Sequence, residues 1–108
     1  MKIVRTRPFD RDIRRIGATE QDVAALLAEL AANPKAGDVI QGLRGVRKVR
    51  FGLPSRRIGK RGGGRAVYYL MVMDDALVLL AAFTKNEKAD LSDPDRKGLL
   101  KLVEALET

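Results

Sequence analysis

The hydrophobic pattern of this chain changes period once, and that change fixes the class of fold open to it. Before Pro34 the apolar residues recur at helical spacing. Val23, Leu26, Leu27 and Leu30 follow the i, i+3, i+4, i+7 stripe of a helix buried along one side. Beyond Gly45 the period becomes that of strands. From Val46 to Phe51, Val49 and Phe51 fall on one face while Lys48 and Arg50 fall on the other. The runs Arg65–Met73 and Ala76–Thr84 read as strands, apolar on both faces over Val67–Met73 and Leu77–Phe83, and Asp74-Asp75 between them marks a turn. A helical half followed by a strand half is the pattern of an α+β domain.

Punctuation completes the order of elements. Residues 2–6 read as a short first strand, and Phe9–Ile16 as a helix that places Phe9, Ile13 and Ile16 together and stops at Gly17. Thr19 is a cap for the second helix, with Asp22 three residues later completing a capping box, and Asn33-Pro34 ends it. Ser92 caps a last helix, with Pro94 in its first turn and Asp93 and Asp95 placed to favour its dipole. Leu99, Leu102, Val103 and Leu106 form its apolar stripe, and Gly98 interrupts it. The predicted order is β-α-α-β-β-β-α, an antiparallel meander with an N-terminal helical hairpin and a C-terminal helix packed on one face. With 108 residues, no internal repeat and no long linker, a single domain over 1–108 is expected.

Charge singles out the middle of the chain. Residues 39–73 carry nine basic side chains and no acidic one, whereas the flanking thirds mix signs. Mixed signs are the rule on a surface that serves only solubility, so a block of one sign points to a polyanionic partner held at one region. Much of the block falls in the connection Gly52–Gly63, a loop long enough to suggest a function of its own. Lys48 and Arg50 project from one strand face, Arg56, Arg57, Lys60 and Arg61 lie in the loop, Arg65 opens the next strand, and Lys85 ends the one after. If those strands are neighbours, the cations converge over one end of the sheet and can hold phosphates, arginine as a two-pronged donor and lysine as a point charge. Gly62, Gly63 and Gly64 would let the backbone approach the polyanion. The stretch GKRGGGR is not a P-loop, because no Ser or Thr follows the lysine.

What is missing narrows the chemistry further. There is no cysteine and no histidine, which removes disulfides, thiolate metal sites, the commonest general base and the commonest metal ligand. No carboxylate cluster suggests a metal; Glu87 and Asp90 read as surface residues before the last helix. No cofactor or metal is expected. No apolar run approaches the roughly 18 residues of a membrane span, and the first residues, MKIVR, lack a secretory pattern. A cytoplasmic protein with no membrane partner is the expectation. Catalysis without histidine remains open on RNA, which carries its own nucleophile in the 2′-OH. An enzyme can orient that group, stabilise charge on the phosphorane and protonate the leaving 5′ oxygen, and a cluster of Lys and Arg supplies the electrostatic part.

Three segments then resemble a known family. DVIQGLRGVRKVR (Asp38–Arg50) is similar to the start of the sheet in HigB-type toxins of the RelE/ParE superfamily, GKRGGGRAVYY (Gly59–Tyr69) to their following loop and strand, and TKNEKADL (Thr84–Leu91) to the end of their last main strand. The resemblance implies the RelE-like fold and a ribosome-dependent endonuclease that cuts mRNA in the ribosomal A site with basic residues. It also implies a cognate antitoxin encoded nearby, HigA-like or RelB-like, through whose complex operator DNA is bound.

By position, Lys48 and Arg50 resemble the family's paired basic residues, and Arg65 the arginine that stabilises the transition-state phosphate. Lys85 and Asn86 fall where the general-acid arginine stands. Asn86 replaces that arginine and cannot deliver a proton, and Leu91 stands near the place of a catalytic tyrosine. Lys85 could substitute, or Tyr68 or Tyr69 could take over base stacking, although on a strand the two tyrosines point opposite ways and at least one belongs to the core. Arg44, Arg47, Arg56, Arg57, Lys60 and Arg61 are the expected RNA and ribosome contacts. Two other functions fit the same residues. A ParE-like toxin that is not a nuclease would not need Lys48, Arg50 and Arg65, and a simple nucleic-acid-binding module would show steep salt dependence without toxicity.

Overall fold

A computed structural model describes residues 1–108. The elements are β1 (Lys2–Arg5), α1 (Arg7–Ile16), α2 (Glu20–Ala32), β2 (Asp38–Val39), β3 (Arg47–Phe51), β4 (Gly64–Met71), β5 (Ala76–Thr84) and α3 (Asp93–Glu107). They build an α+β architecture around one sheet of order β1-β5-β4-β3-β2. No helix is long and apolar enough to cross a membrane.

Local chemistry sets the helix ends. Thr19 Oγ1 accepts from the Asp22 amide at 3.2 Å and Asp22 Oδ2 from the Thr19 amide at 2.9 Å, the reciprocal box the sequence predicts. Ser92 and Asp95 repeat it at α3. Gly17 ends α1 with φ 72°, a conformation that favours glycine. Helix α1 starts at Arg7, two residues before the predicted start, because Thr6 caps it and Pro8 suits its first turn.

The sheet differs from the predicted meander in two respects. Strand β1 pairs with β5 in parallel, Lys2 opposite Ala76 through Arg5 opposite Leu79, while every other pairing is antiparallel. The helical hairpin makes this possible by carrying the chain across the sheet before β2. A two-residue strand, β2, also lies beyond β3; at that length it leaves no periodic signal.

The helices also do not share a face. Side chains of α1 and α2, among them Phe9, Ile13, Leu26 and Leu30, pack with Val49, Phe51, Tyr68 and Leu79. Leu99 and Val103 of α3 pack on the opposite face with Val67, Val78, Leu80 and Phe83. That is why β4 and β5 are apolar on both sides, where the predicted order had packed all the helices on one face. A bulge where Tyr68 faces Leu79 and Val67 faces Ala81 turns both Leu80 and Ala81 toward α3. Past the end of β1, the edge of β5 is covered by α1, whose Asp12 accepts from the Ala82 amide at 2.9 Å and whose Arg15 donates to the Ala82 carbonyl at 3.0 Å.

Tyr68 is fully buried and Tyr69 half-buried against α3, so the tyrosines do point opposite ways. The Tyr68 hydroxyl donates to the Pro34 carbonyl at 2.7 Å and accepts from the Gly37 amide at 2.9 Å, fastening the α2–β2 connection to the sheet. Burial raises its pKa above the ordinary tyrosine value, with the Gly37 bond acting against it. Tyr68→Phe strands both backbone groups and should cost about 1–3 kcal/mol. In urea unfolding this would appear as a lower midpoint at unchanged slope; an unchanged midpoint would show that the clasp contributes nothing.

Candidate functional site

Alternation along β3 sends Val49 and Phe51 into the core beneath the helical hairpin and leaves Lys48 and Arg50 on the other face. Register then sets Arg65 of β4 directly opposite Arg50. Residues so paired have Cβ atoms about 4.5–5.5 Å apart, and like charges there destabilise a sheet. Neither guanidinium has a carboxylate within 4.0 Å, whereas Arg5, Arg15, Arg44, Lys48, Lys60 and Lys88 each have one. Arg65 is half-buried and donates to its neighbour's carbonyl, that of Gly64, at 3.1 Å. Burial first, and the adjacent Arg50 second, lower its pKa below the ordinary value; a guanidinium stays charged regardless. The pair is a concentrated positive charge without a counter-ion.

This pair lines a cleft of about 660 Å³ together with Lys48 and Lys60. Three carboxylates bear on the same space. Lys48 Nζ donates to Asp90 Oδ1 at 2.9 Å, and that bond holds the Asp90 carboxyl below the usual carboxylate range. Lys60 is paired with Glu29 of α2. Asp38 stands opposite Lys48 across the β2–β3 pairing and makes no ion pair. The sequence pattern did not single out Glu29 or Asp38 and read Asp90 as a surface residue. Only the two-residue pairing of β2 could have exposed Asp38, and contacts as distant in sequence as Asp90–Lys48 leave no local trace.

The remaining candidate cations are placed elsewhere. Arg47 donates to the Gly37 carbonyl at 2.7 Å, Arg56 to the Ile16 carbonyl at 2.6 Å, and Arg44 to Glu107 at 2.7 Å, so each braces the fold. Arg57 and Arg61 are exposed on the loop. Lys85 and Asn86 lie exposed on the turn after β5, at the same end of the sheet but outside the cleft lining. In that turn Glu87 is not a free surface residue. It binds Arg15 through both oxygens, at 2.9 and 3.1 Å, and accepts from the Thr84 amide at 2.9 Å.

The connection Gly52–Gly63 is not a free loop. Leu53 is buried and bridges to Ile58, and a single 3-10 turn spans Pro54–Arg56. The glycines that close it are dictated by packing. A Cβ on Gly63 would stand 2.2 Å from the Phe51 carbonyl oxygen, and one on Gly64 would stand 2.5 Å from the Phe51 ring. Their small size admits Phe51 beneath the site, not a polyanion above it.

Two unopposed guanidiniums at this spacing form a fork for a tetrahedral anion, with each able to give parallel N–H bonds. No known family model matches the chain. Among solved structures, the chain is similar to an arginine-to-alanine mutant of the E. coli toxin RelE in the free state. The TM-score is 0.58 at 14% identity, over 82% of this chain and 86% of that one. At that identity the likeness is one of fold: the architecture is RelE-like.

Proposed function

We propose that this RelE-like chain is the toxin of a type II toxin–antitoxin pair, a metal-independent and ribosome-dependent endonuclease that cuts mRNA in the ribosomal A site. The supporting observation is the Arg50–Arg65 pair, which has no counter-ion in a cleft where Lys48 and Lys60 each have one. A scissile phosphate fits that fork, and the charge that builds on its oxygens as the 2′-OH attacks is stabilised by donors already in place. Lys48, on the same strand face two residues from Arg50, supplies an ammonium that could activate the nucleophile or serve the leaving oxygen. Lys85 and Asn86, with Arg57 and Arg61, flank this end of the sheet and suit the strand's onward path or the ribosome. The ribosome supplies the alignment of the 2′-OH that a shallow, open cleft does not.

The chain would act in the cytoplasm as one domain over 1–108, without a cofactor. An antitoxin of HigA-like or RelB-like kind would cover the basic face and carry any binding to operator DNA. The test is induced expression in a bacterial host, with pulse-labelled protein synthesis and mapped mRNA 5′ ends. Rapid translational arrest with in-frame cuts in translated messages is the expected result. Growth arrest with intact mRNA would overturn the nuclease reading in favour of a ParE-like action on another target, and no toxicity at all would leave a nucleic-acid-binding module.

A further inference from the structure

We propose that Asp90 and Glu29 gate the cleft: each carboxylate holds a lysine that RNA phosphates must take over, so the empty site offers RNA only Arg50 and Arg65. This deepens the reading of the cleft as an RNA site and rests on it.

The cleft's four cations divide into two kinds. The arginines have no acidic partner, and both lysines have one. Both acids come from outside the sheet, Glu29 from α2 and Asp90 from the segment before α3, so they can withdraw without disturbing a ladder hydrogen bond. Both ion pairs face solvent: the side chains are 31% and 65% exposed for Lys48–Asp90, and 60% and 35% for Lys60–Glu29. Ion pairs of that exposure are weak and can be exchanged for a phosphate that offers a better-placed anion.

The consequence is a threshold. A stray polyanion meets two free cations, and its attraction is opposed by the negative charge of Glu29, Asp38 and Asp90 around the cleft. A strand held so that successive phosphates reach Lys48, the arginine pair and Lys60 together displaces both acids and gains all four contacts. Lys48 and Arg50 lie two residues apart on one strand, a spacing of about 6.6 Å, so the contacts line up along a path and not at a point. Discrimination between free RNA and RNA presented in an extended, fixed register then follows from the protein's own carboxylates.

The experiment measures binding of a non-cleavable 2′-O-methyl RNA oligomer across a potassium chloride series, for wild type, Asp90→Asn, Glu29→Gln and Asp38→Asn. Each phosphate contact contributes about 0.7 to the slope of log K against log salt for a single strand. Asp90→Asn and Glu29→Gln should each steepen the slope by about 0.7 and tighten binding by up to about fivefold, the ceiling set by an exposed ion pair. Asp38→Asn removes a charge from the same cleft but frees no cation, so it should tighten binding without changing the slope. Adding Lys48→Met to Asp90→Asn should return the slope to the wild-type value.

Amide replacements keep side-chain shape, and thermal melts confirm that each variant is folded. Slopes unchanged or shallower in Asp90→Asn and Glu29→Gln, or equally steepened in Asp38→Asn, would overturn the gate. The functional reading fails separately. A toxin that cuts mRNA with an unchanged Asp90→Asn slope has no gate, and one that cuts nothing but shows the steeper slopes has a gated anion site without nuclease function.

Discussion

Arg65→Ala is expected to lower ribosome-stimulated mRNA cleavage by about 10²–10³-fold, the loss that follows removal of one preorganised donor to a developing oxyanion, while leaving the melting temperature unchanged or higher. The two halves of this expectation come from the same geometry. Arg65 faces Arg50 across β3–β4, and neither has an acidic partner. Burial first, with Arg50 second, lowers the Arg65 pKa, and in the folded, empty protein that juxtaposition of like charges is unfavourable. Truncating either guanidinium relieves it. Arg50→Ala should therefore behave alike, and Arg65→Lys should keep part of the binding but lose the fork. Purified variants assayed on programmed ribosomes, beside thermal melts, separate rate from stability. Undiminished cleavage by Arg65→Ala would remove the arginine pair from the mechanism, and a large drop in melting temperature would make Arg65 a structural residue.

Asp22→Ala should cost about 3 kcal/mol of stability, the sum of buried donors left without an acceptor and of a lost helix cap. Asp22 is the only charged residue fully buried in the chain. One oxygen accepts from the Ser55 amide at 2.9 Å, and the other from the Ser55 hydroxyl at 2.6 Å and the Thr19 amide at 2.9 Å. A single carboxylate thus starts α2 and pins the basic connection between β3 and β4. Burial alone would raise its pKa, but the bonds from Ser55 and Thr19 outweigh it, and the carboxyl titrates below its ordinary 3.8. The folded pKa is depressed, so the stabilisation is complete above about pH 4 and is lost as pH falls through the folded value. Urea midpoints should fall for Asp22→Ala at neutral pH and converge with wild type in acid. A constant difference across that range would show that the charge is not what stabilises.

The sequence was most legible where one residue acts on its near neighbours. Thr19 with Asp22, Ser92 as the cap of α3, Gly17 as a helix stop and the β5 boundaries all match. The alternation that turns Lys48 and Arg50 away from Val49 and Phe51 matches as well. Illegible features depend on partners distant in the chain. Apolar residues on both faces of β4 and β5 call for cover on both, but the pattern does not say which helix lies on which face, so the place of α3 was not read. Arg44, Arg47 and Arg56 looked like free cations because their acceptors, Glu107 and the carbonyls of Gly37 and Ile16, are assigned only by folding. The same holds for Asp90, whose role appears only once Lys48 stands beside it. Arg50 and Arg65 are the informative exception, since the adjacency of two consecutive strands is legible in the pattern and brings them to one end of the sheet, although only the structure sets them directly opposite.

The parallel pairing of β1 with β5 also sets a timetable for synthesis. Residues 2–5 leave the ribosome early, yet their hydrogen-bonding partners are residues 76–79, and α1 rests on the β5 edge through Ala82. Through most of translation the first strand and first helix have nothing to dock against, and the closing contacts are of high contact order and slow to form. The β3–β4 hairpin that carries Arg50 and Arg65 is complete sooner, but it lacks its central neighbour until β5 emerges. A nascent chain is therefore kept from building its finished cleft until β5 has emerged, and on the function proposed above this would delay an activity aimed at the machine that makes it.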